Sequence, residues 1–440
     1  MEQTRITFGE WLPDQPTLLG VLQDAKNVRP TSTGYTYFNE VSEISASASQ
    51  NLLSLSVGKF GGSTQVFAGG ATRLFKLDSS DGSLDDVSKG GSAYTSTDRW
   101  SFTQFGTKLL AVNKHDKVQA WTIGSSSAFA DLDSSAPTAY YITTVRDFVV
   151  CARDSSNPSK VFWSVILMDR AIHRMTYVGS PFYFQFDNIS RGIGCFAEGS
   201  IAQYGQVTFF LGGDGFYMCN GTTLTPIGSQ KVDRFFFEDA NLSDDSTLSC
   251  AIDPENKLVV WAYLSNSGEK TLLIYNWQVQ RWSRAITTAT ALGTSATSST
   301  TLEGVDGYNN NLDDLTISLD SRFWLGGSYA LQGVKDTKLV AFTGAKSTAE
   351  LITGDIDLKS NSTITLARPI VENGSGSVAI ASRVAPTDNV TFSTLATSST
   401  ENRVPLRGVG RLHRIKMQPT GDNWETVVGV DLELKRLGNR

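Results

Sequence analysis

The chain has 440 residues, 38 basic against 44 acidic, a net charge of −6, and hydrophobic side chains at 40% of positions. That length allows one large β-domain with an appendage, or two to three domains at ~150 residues each. The 39 glycines and 23 phenylalanines fit neither a disordered chain nor a coiled coil. The negative balance excludes a global basic field that would draw the molecule onto nucleic acid, and no run reaches the ~18 apolar residues needed to cross a bilayer, so no stable membrane insertion is expected.

The opening MEQTRITFGEWLPD lacks the basic flank and apolar stretch of a secretory signal, which predicts a protein made in the cytoplasm and soluble there. Residues 1–45 read as an N-terminal arm. Trp11, Leu12, Leu18, Leu19, Val21 and Leu22 make it apolar, and prolines punctuate it. Such an arm closes the next domain by pairing with its last unit, docks on a neighbouring subunit (Trp11 and Leu12 being the candidate contacts), or packs on its own domain. TLLGVLQDAKNV, residues 17–28 between Pro16 and Pro30, reads as a short helix.

Residues 46–345 carry recurring strand pairs. Gln65 to Ala68 turns into Arg73 to Leu77, Leu109 to Asn113 into Val118 to Ile123, and Phe148 to Ala152 into Val161 to Val165. Val207 to Leu211 turns into Phe216 to Cys219, and Lys257 to Tyr263 into Thr271 to Asn276. The second strands, starting near residues 73, 118, 161, 216 and 271, recur at intervals of 43 to 55 residues, the signature of radial propeller blades, in which small twisted sheets bury their faces against one another. A row of separate β-sandwiches gives a similar rhythm. The glycines around Asp214 and the Asn220-Gly221 pair read as tight turns of a meander, not as a ligand loop.

Threonine- and serine-rich residues 286–301 form either a linker or an exposed strand, and mark a connection in the organisation. From 346 to 440, STITLARPIV, GSVAIASRV, VTFSTLA, RLHRIKMQP and ETVVGVDLELKRL alternate at period two, which predicts a second, antiparallel sandwich-like β-domain. The fold class is therefore all-β: a propeller of meander blades with an added C-terminal β-domain.

The chemistry is sparse. LDSSDGSLDD, residues 77–86, has Ser80 and Gly82 where a calcium loop needs carboxylates and lacks its final glutamate, so it reads as an acidic turn. His115, His173 and His413 show no metal-ligand spacing, and His413 is expected on the polar face of its strand. Cys151, Cys195, Cys219 and Cys250 sit in or beside apolar runs with no CxxC pair and read as buried thiols. No catalytic, metal or cofactor-binding residue is nominated. One feature stands out: ENRVPLRGVGRLHRIK, residues 401–416, carries Arg403, Arg407, Arg411, Arg414 and Lys416 against Glu401. The stretch is a candidate contact for phosphates or for an acidic subunit surface, or else a solvated strand face.

FGEWLPDQP (8–16), AKNVRP (25–30), GDGFYMCNGTTLTPIGSQKVDRFFF (213–237), DPENKLVVWAY with LLIYNWQVQRWS (253–283), LDSRFWLGG (319–327), ITGDIDL (352–358) and the closing GRLHRIKMQPTGDNWETVVGVDLELKRLGNR occur in order along nearly the whole chain. Together they resemble the tail nozzle or packaged-DNA stabilisation proteins of short-tailed bacteriophages. The resemblance implies a structural, non-enzymatic subunit of the virion tail containing a β-propeller. Six copies would form a tube that conducts and gates double-stranded DNA below the portal and adaptor ring, beside tail spike or fibre subunits. It brings no cofactor and no site residue. The alternative is a host-surface glycan-binding or glycan-degrading tail propeller, with Trp100, Trp163, Trp277 and Trp282 stacking on sugars or else filling space between blades.

Overall fold

The structure, a computed structural model, describes residues 2–17, 21–97, 99–145, 148–154, 165–167, 170–179, 183–296 and 329–437. These residues fold almost wholly as strands, with one α-helix among them, Asp233–Asp239. The chain is all-β.

Small antiparallel sheets follow in sequence. The first meander takes Leu52–Phe60, Ser63–Gly70, Leu74–Leu77 and Leu84–Asp86; the second takes Ser101–Phe105, Lys108–Val112, Gln119–Thr122 and Ala130–Asp131. A two-stranded sheet (Ala139–Val145, Phe148–Asp154) and a three-stranded one (Val165–Leu167, Ala171–Gly179, Tyr183–Arg191) come next. The fifth sheet uses Ala202–Tyr204, Val207–Leu211, Phe216–Cys219 and Leu224–Pro226, and the sixth meander Ser249–Asp253, Leu258–Leu264, Lys270–Asn276 and Arg281–Ile286. The seventh sheet pairs Ala291–Ala296, Tyr329–Lys335 and Lys338–Ala341, and takes its fourth strand, Ser42–Glu43, from the arm.

Neighbouring sheets share apolar layers, because a small sheet cannot bury both faces alone. Phe67 and Leu74 of the first pack with Trp121 and Leu109 of the second, and Leu110 and Val112 of the second with Ala139 and Ile142 of the third. Ile172 of the fourth meets Phe210 and Tyr217 of the fifth, while Phe209 and Phe216 of the fifth meet Trp261, Tyr275 and Trp282 of the sixth. Val260 and Ile274 of the sixth pack with Leu331 and Val340 of the seventh, and Val334 and Leu339 of the seventh return to Leu55 and Val66 of the first.

Indole N–H groups tie these layers together, as buried tryptophans need a polar partner for that end. Trp100 donates to Gly70 O at 2.8 Å, Trp121 to Gln65 Oε1 at 2.9 Å, Trp261 to Ser200 O at 2.9 Å and Trp282 to Ile227 O at 3.0 Å.

The terminal part is built on long strands, Ile356–Val371, Ser375–Arg383, Val404–Thr420 and Thr426–Arg436. The arm enters this same sheet. Glu2–Thr7 pairs with Thr426–Arg436, as does Tyr35–Tyr37, and Leu22–Lys26 lies between Arg281–Ile286 and Glu350–Thr353. The sixth meander and the terminal strands thus form one fourteen-stranded sheet.

Three expectations are corrected. Of the segment read as helical, residues 22–26 are a strand and Val28 opens the next, Val28–Pro30, because both sides of Leu22–Lys26 are offered a sheet edge and tertiary pairing overrides a weak propensity; Leu18 and Leu19 lie outside the described residues. Of the serine- and threonine-rich connection, 291–296 is a partly buried first strand of the seventh sheet, not a linker. VTFSTLA contributes little pairing: Ala396–Thr397 forms a two-residue strand beside Ser375–Arg383, and Ser393 N bonds Ile380 O. The returning strand expected at 161–165 lies mostly outside the described residues, and Phe148–Asp154 pairs backwards with Ala139–Val145.

Candidate DNA and subunit interface

The five basic residues of 401–416 do not form an open comb of cations. Residues 350–357 run antiparallel beside 411–417, where Ile356 pairs with His413 and Leu351 with Met417. Carboxylates come with them. Arg411 makes a fork with Asp357 (Nε to Oδ1 3.0 Å, Nη2 to Oδ2 2.7 Å), and Lys416 Nζ lies 3.1 Å from Glu350. Arg414 Nε donates to Asp355 Oδ1 at 2.7 Å, and Arg403 Nη1 sits 3.5 Å from Glu401. Arg407 is exposed and has no ion pair among the described residues. Sequence reading missed this neutralisation because, Glu401 apart, the acids lie far upstream, as in the Arg411–Asp357 separation of 54 and the Arg414–Asp355 separation of 59.

Asp355 is the deepest of these acids, with its side chain 1% exposed. It accepts from Arg414, Arg383 and the Thr17 hydroxyl (3.0 Å), so one carboxylate joins two arginines and the arm. Burial pushes its pKa up, but the hydrogen bond and charge of Arg414, with Thr17 and Arg383, hold it below the usual carboxylate value.

His413 corrects another expectation. It is fully buried rather than on a polar face. Its Nε2 faces Gly410 O at 3.1 Å and its Nδ1 the Ser382 hydroxyl at 2.8 Å. A proton on Nε2 donated to the carbonyl leaves Nδ1 to accept from Ser382. Burial lowers its pKa, and the bond to Gly410 O only partly offsets that.

Trp11 is buried within its own chain, its indole donating to Gln23 O at 3.0 Å and its ring edge meeting Phe235 at 5.2 Å; Leu12 is half-buried and bonds backbone to backbone with Leu22. Of the roles considered for the arm, Trp11 takes internal packing. Ser42–Glu43 of the arm adds a strand to the last sheet. Farther along, Asp14 caps the helix, its carboxylate accepting from Arg234 N at 2.9 Å and Phe235 N at 2.8 Å.

The Asp214 stretch turns the chain as read. Gly212 N bonds Gly215 O at 2.7 Å, and the Tyr217 hydroxyl donates to Asp214 Oδ2 at 2.9 Å. A Cβ on Gly215 would collide with the Asp233 carboxylate. Asp233 itself accepts from Phe216 N, and burial, with the charges of Asp14 and Asp214, pushes its pKa up to about 6. At the next turn only Gly221 has positive φ; Asn220 works through its side-chain oxygen, which accepts from Thr222 N and Thr223 N.

Among the described residues no cluster of histidine, cysteine, aspartate and glutamate is arranged to hold a metal ion. Of the tryptophans considered for sugar stacking, Trp100 and Trp282 are buried between sheets and Trp277 is half-buried against Tyr204 and Phe209. Trp163 lies outside the described residues.

No family model matches the chain, and no curated protein matches it. Among solved structures, the computationally designed Ika8 protein aligns with 76% of this chain and 100% of its own, at 9% identity and a TM-score of 0.31. SapL1 lectin, in complex with alpha methyl fucoside, aligns with 69% of this chain and 94% of its own, at 10% identity and a TM-score of 0.33. BamB from Moraxella catarrhalis aligns with 80% of this chain and 94% of its own, at 11% identity and a TM-score of 0.25. These likenesses are too slight to carry a fold or a function.

Proposed function

We propose that this chain is a structural virion subunit of the tail-nozzle kind, whose sheets are blades of one closed propeller and six copies of which surround a channel for double-stranded DNA. The observation that carries the reading is the fourteen-stranded sheet joining the sixth meander to the terminal strands. Such a join transmits load between the two parts without a hinge, as a pressurised conduit requires. Sheet-to-sheet apolar layers and the borrowed strand Ser42–Glu43 support a wheel closed by the arm. The neutralised arginine strand and the net charge of −6 support a wall along which DNA slides, since a row of unpaired cations would hold phosphates.

Electron microscopy of the purified protein, alone and with tail particles lacking this subunit, tests the proposal. Ring-shaped particles, or restored tails with a sixfold layer below the adaptor, are the expected result. A strictly monomeric species that never joins those particles overturns it.

A further inference from the structure

Residues 10–15 of the arm lie against residues 230–235, where the chain leaves the fifth sheet and the helix Asp233–Asp239 begins. Asp14 N donates to Lys231 O at 3.2 Å and Gln15 Nε2 to Gln230 O at 2.8 Å, while the Asp14 carboxylate accepts from the first helical N–H groups, those of Arg234 and Phe235. Lys231 pairs with Glu10 at 3.1 Å, which takes that cation out of play.

A groove opens beside this junction, and three carboxylates line it. Asp14 comes from the arm, Asp214 from the turn between Val207–Leu211 and Phe216–Cys219, and Asp233 from the start of the helix. Arg234 is the one cation lining it among the described residues, and its guanidinium turns to other acceptors, with Nη2 donating to Asp14 O at 3.2 Å and Nε 3.8 Å from Glu238. The Tyr217 hydroxyl donates to Asp214, and burial, with that bond and the charges of Asp214 and Asp233, pushes its pKa up to about 12, so it stays neutral.

Asp233 is the confined member of the three. Gly215 and Gly228 close on its carboxylate so tightly that a Cβ on either would collide with it. It accepts from Phe216 N at 3.0 Å, but the charges that act on it are those of Asp14 and Asp214, both negative. Ionisation of Asp233 therefore sets a second anion beside the one that holds arm to helix, and opening the junction relieves the repulsion and the burial together.

We propose that the junction between arm residues 10–15 and the helix is a pH-sensitive latch, drawn tight when Asp233 is protonated and loosened when it ionises. The latch does not depend on whether the chain forms a tube. Burial first, then the two neighbouring charges, raise the Asp233 pKa from 3.8 to about 6. The closed junction thus keeps its proton longer than the open one, so closure is strongest below 3.8, weakens as pH climbs to about 6, and levels off beyond.

Hydrogen exchange of the full-length protein, corrected for the intrinsic pH dependence of amide exchange, tests the latch. Protection of the Asp14, Arg234 and Phe235 amides is expected to fall about tenfold between pH 5 and pH 7. Asp233→Asn, neutral and of the same shape, should abolish that change and hold the three amides at pH 7 as firmly as at pH 5. The readout is local because His413 titrates in the terminal sheet with the opposite sign. Equal protection at both pH values in the parent overturns the proposal, as does an undiminished pH dependence in the variant. Should Asp233→Asn fail to fold, Asp214→Asn decides: losing one repelling charge should shrink the change, and a change as large as the parent's overturns the latch.

Discussion

Arg284 grips Asp24 through two parallel hydrogen bonds, Nε to Oδ1 and Nη2 to Oδ2, each 2.7 Å long, and so fastens the sixth meander to the arm strand that leads into the terminal sheet. The seam is stitched on either side. Asn27 accepts from Ile286 N and donates to Thr348 O, Ser283 Oγ donates to Val28 O, and Asn276 Nδ2 donates to Pro30 O. Asp24→Asn removes the charge while keeping the shape, and is expected to cost ~1.5 to 3 kcal/mol, the range for charge-assisted hydrogen bonds. Urea denaturation of the single variants and the double variant with Arg284→Gln measures the coupling, and a coupling under ~0.5 kcal/mol would show the pair contributes little.

Asp355→Asn leaves Arg383 and Arg414 facing each other with no carboxylate between them. Breaking a buried pair from one side costs ~3 to 5 kcal/mol. Because the Asp355 pKa is depressed in the fold, its contribution is complete above the unfolded value of ~3.9 and is lost as pH falls through the lower folded value. Melting temperatures of parent and variant should therefore converge on acidification through that window.

His413 acts at a higher pH. Its folded pKa lies below the unfolded value of ~6.5, so the unfolded chain binds more protons and stability falls as pH drops below ~6.5. His413→Gln should flatten that part of the stability profile relative to the parent and leave the slope above it unchanged. Equal slopes in both proteins would show that the buried imidazole is not the group responsible.

Trp282→Phe keeps the ring stack with Trp261 and Phe216 but removes the donor to Ile227 O. Loss of that buried bond is expected to lower stability by ~1 to 3 kcal/mol. Hydrogen exchange should report it as faster opening between the fifth and sixth sheets, with the first and second unaffected.

The arginine strand predicts weak attachment to DNA. Five engaged cations would give a salt dependence of about −4.5 in log K against log salt, whereas one unpaired residue, Arg407, gives about −0.9. Fluorescence anisotropy with a short duplex measures the slope, and a steep value would mean the carboxylates yield their arginines to phosphate.

Local chemistry made the meanders and turns legible. Period-two runs bounded by glycine and asparagine located Val207–Leu211, Phe216–Cys219 and Lys270–Asn276, and only the turn at Asn220 differs in how it is held. What could not be read was pairing at a distance. Nothing near Arg411 announces Asp357, and nothing near Trp11 announces Phe235. His413 alternates as a surface residue does, yet it is buried, with Ser362 and Ser382 from other strands and Gly410 O from its own satisfying the ring.

The pairing of Glu2–Thr7 with Thr426–Arg436 has a consequence for synthesis. Arg5 emerges from the ribosome 426 residues ahead of Asp431, to which it bonds. At ~5 to 20 residues per second the nascent arm waits roughly 20 to 85 s with its backbone unmatched. An unmatched strand invites wrong partners, and charged side chains discourage them. Glu2 and Arg5 serve that purpose before their mates Arg436 and Asp431 exist, then become the clasp that shuts behind the last strand.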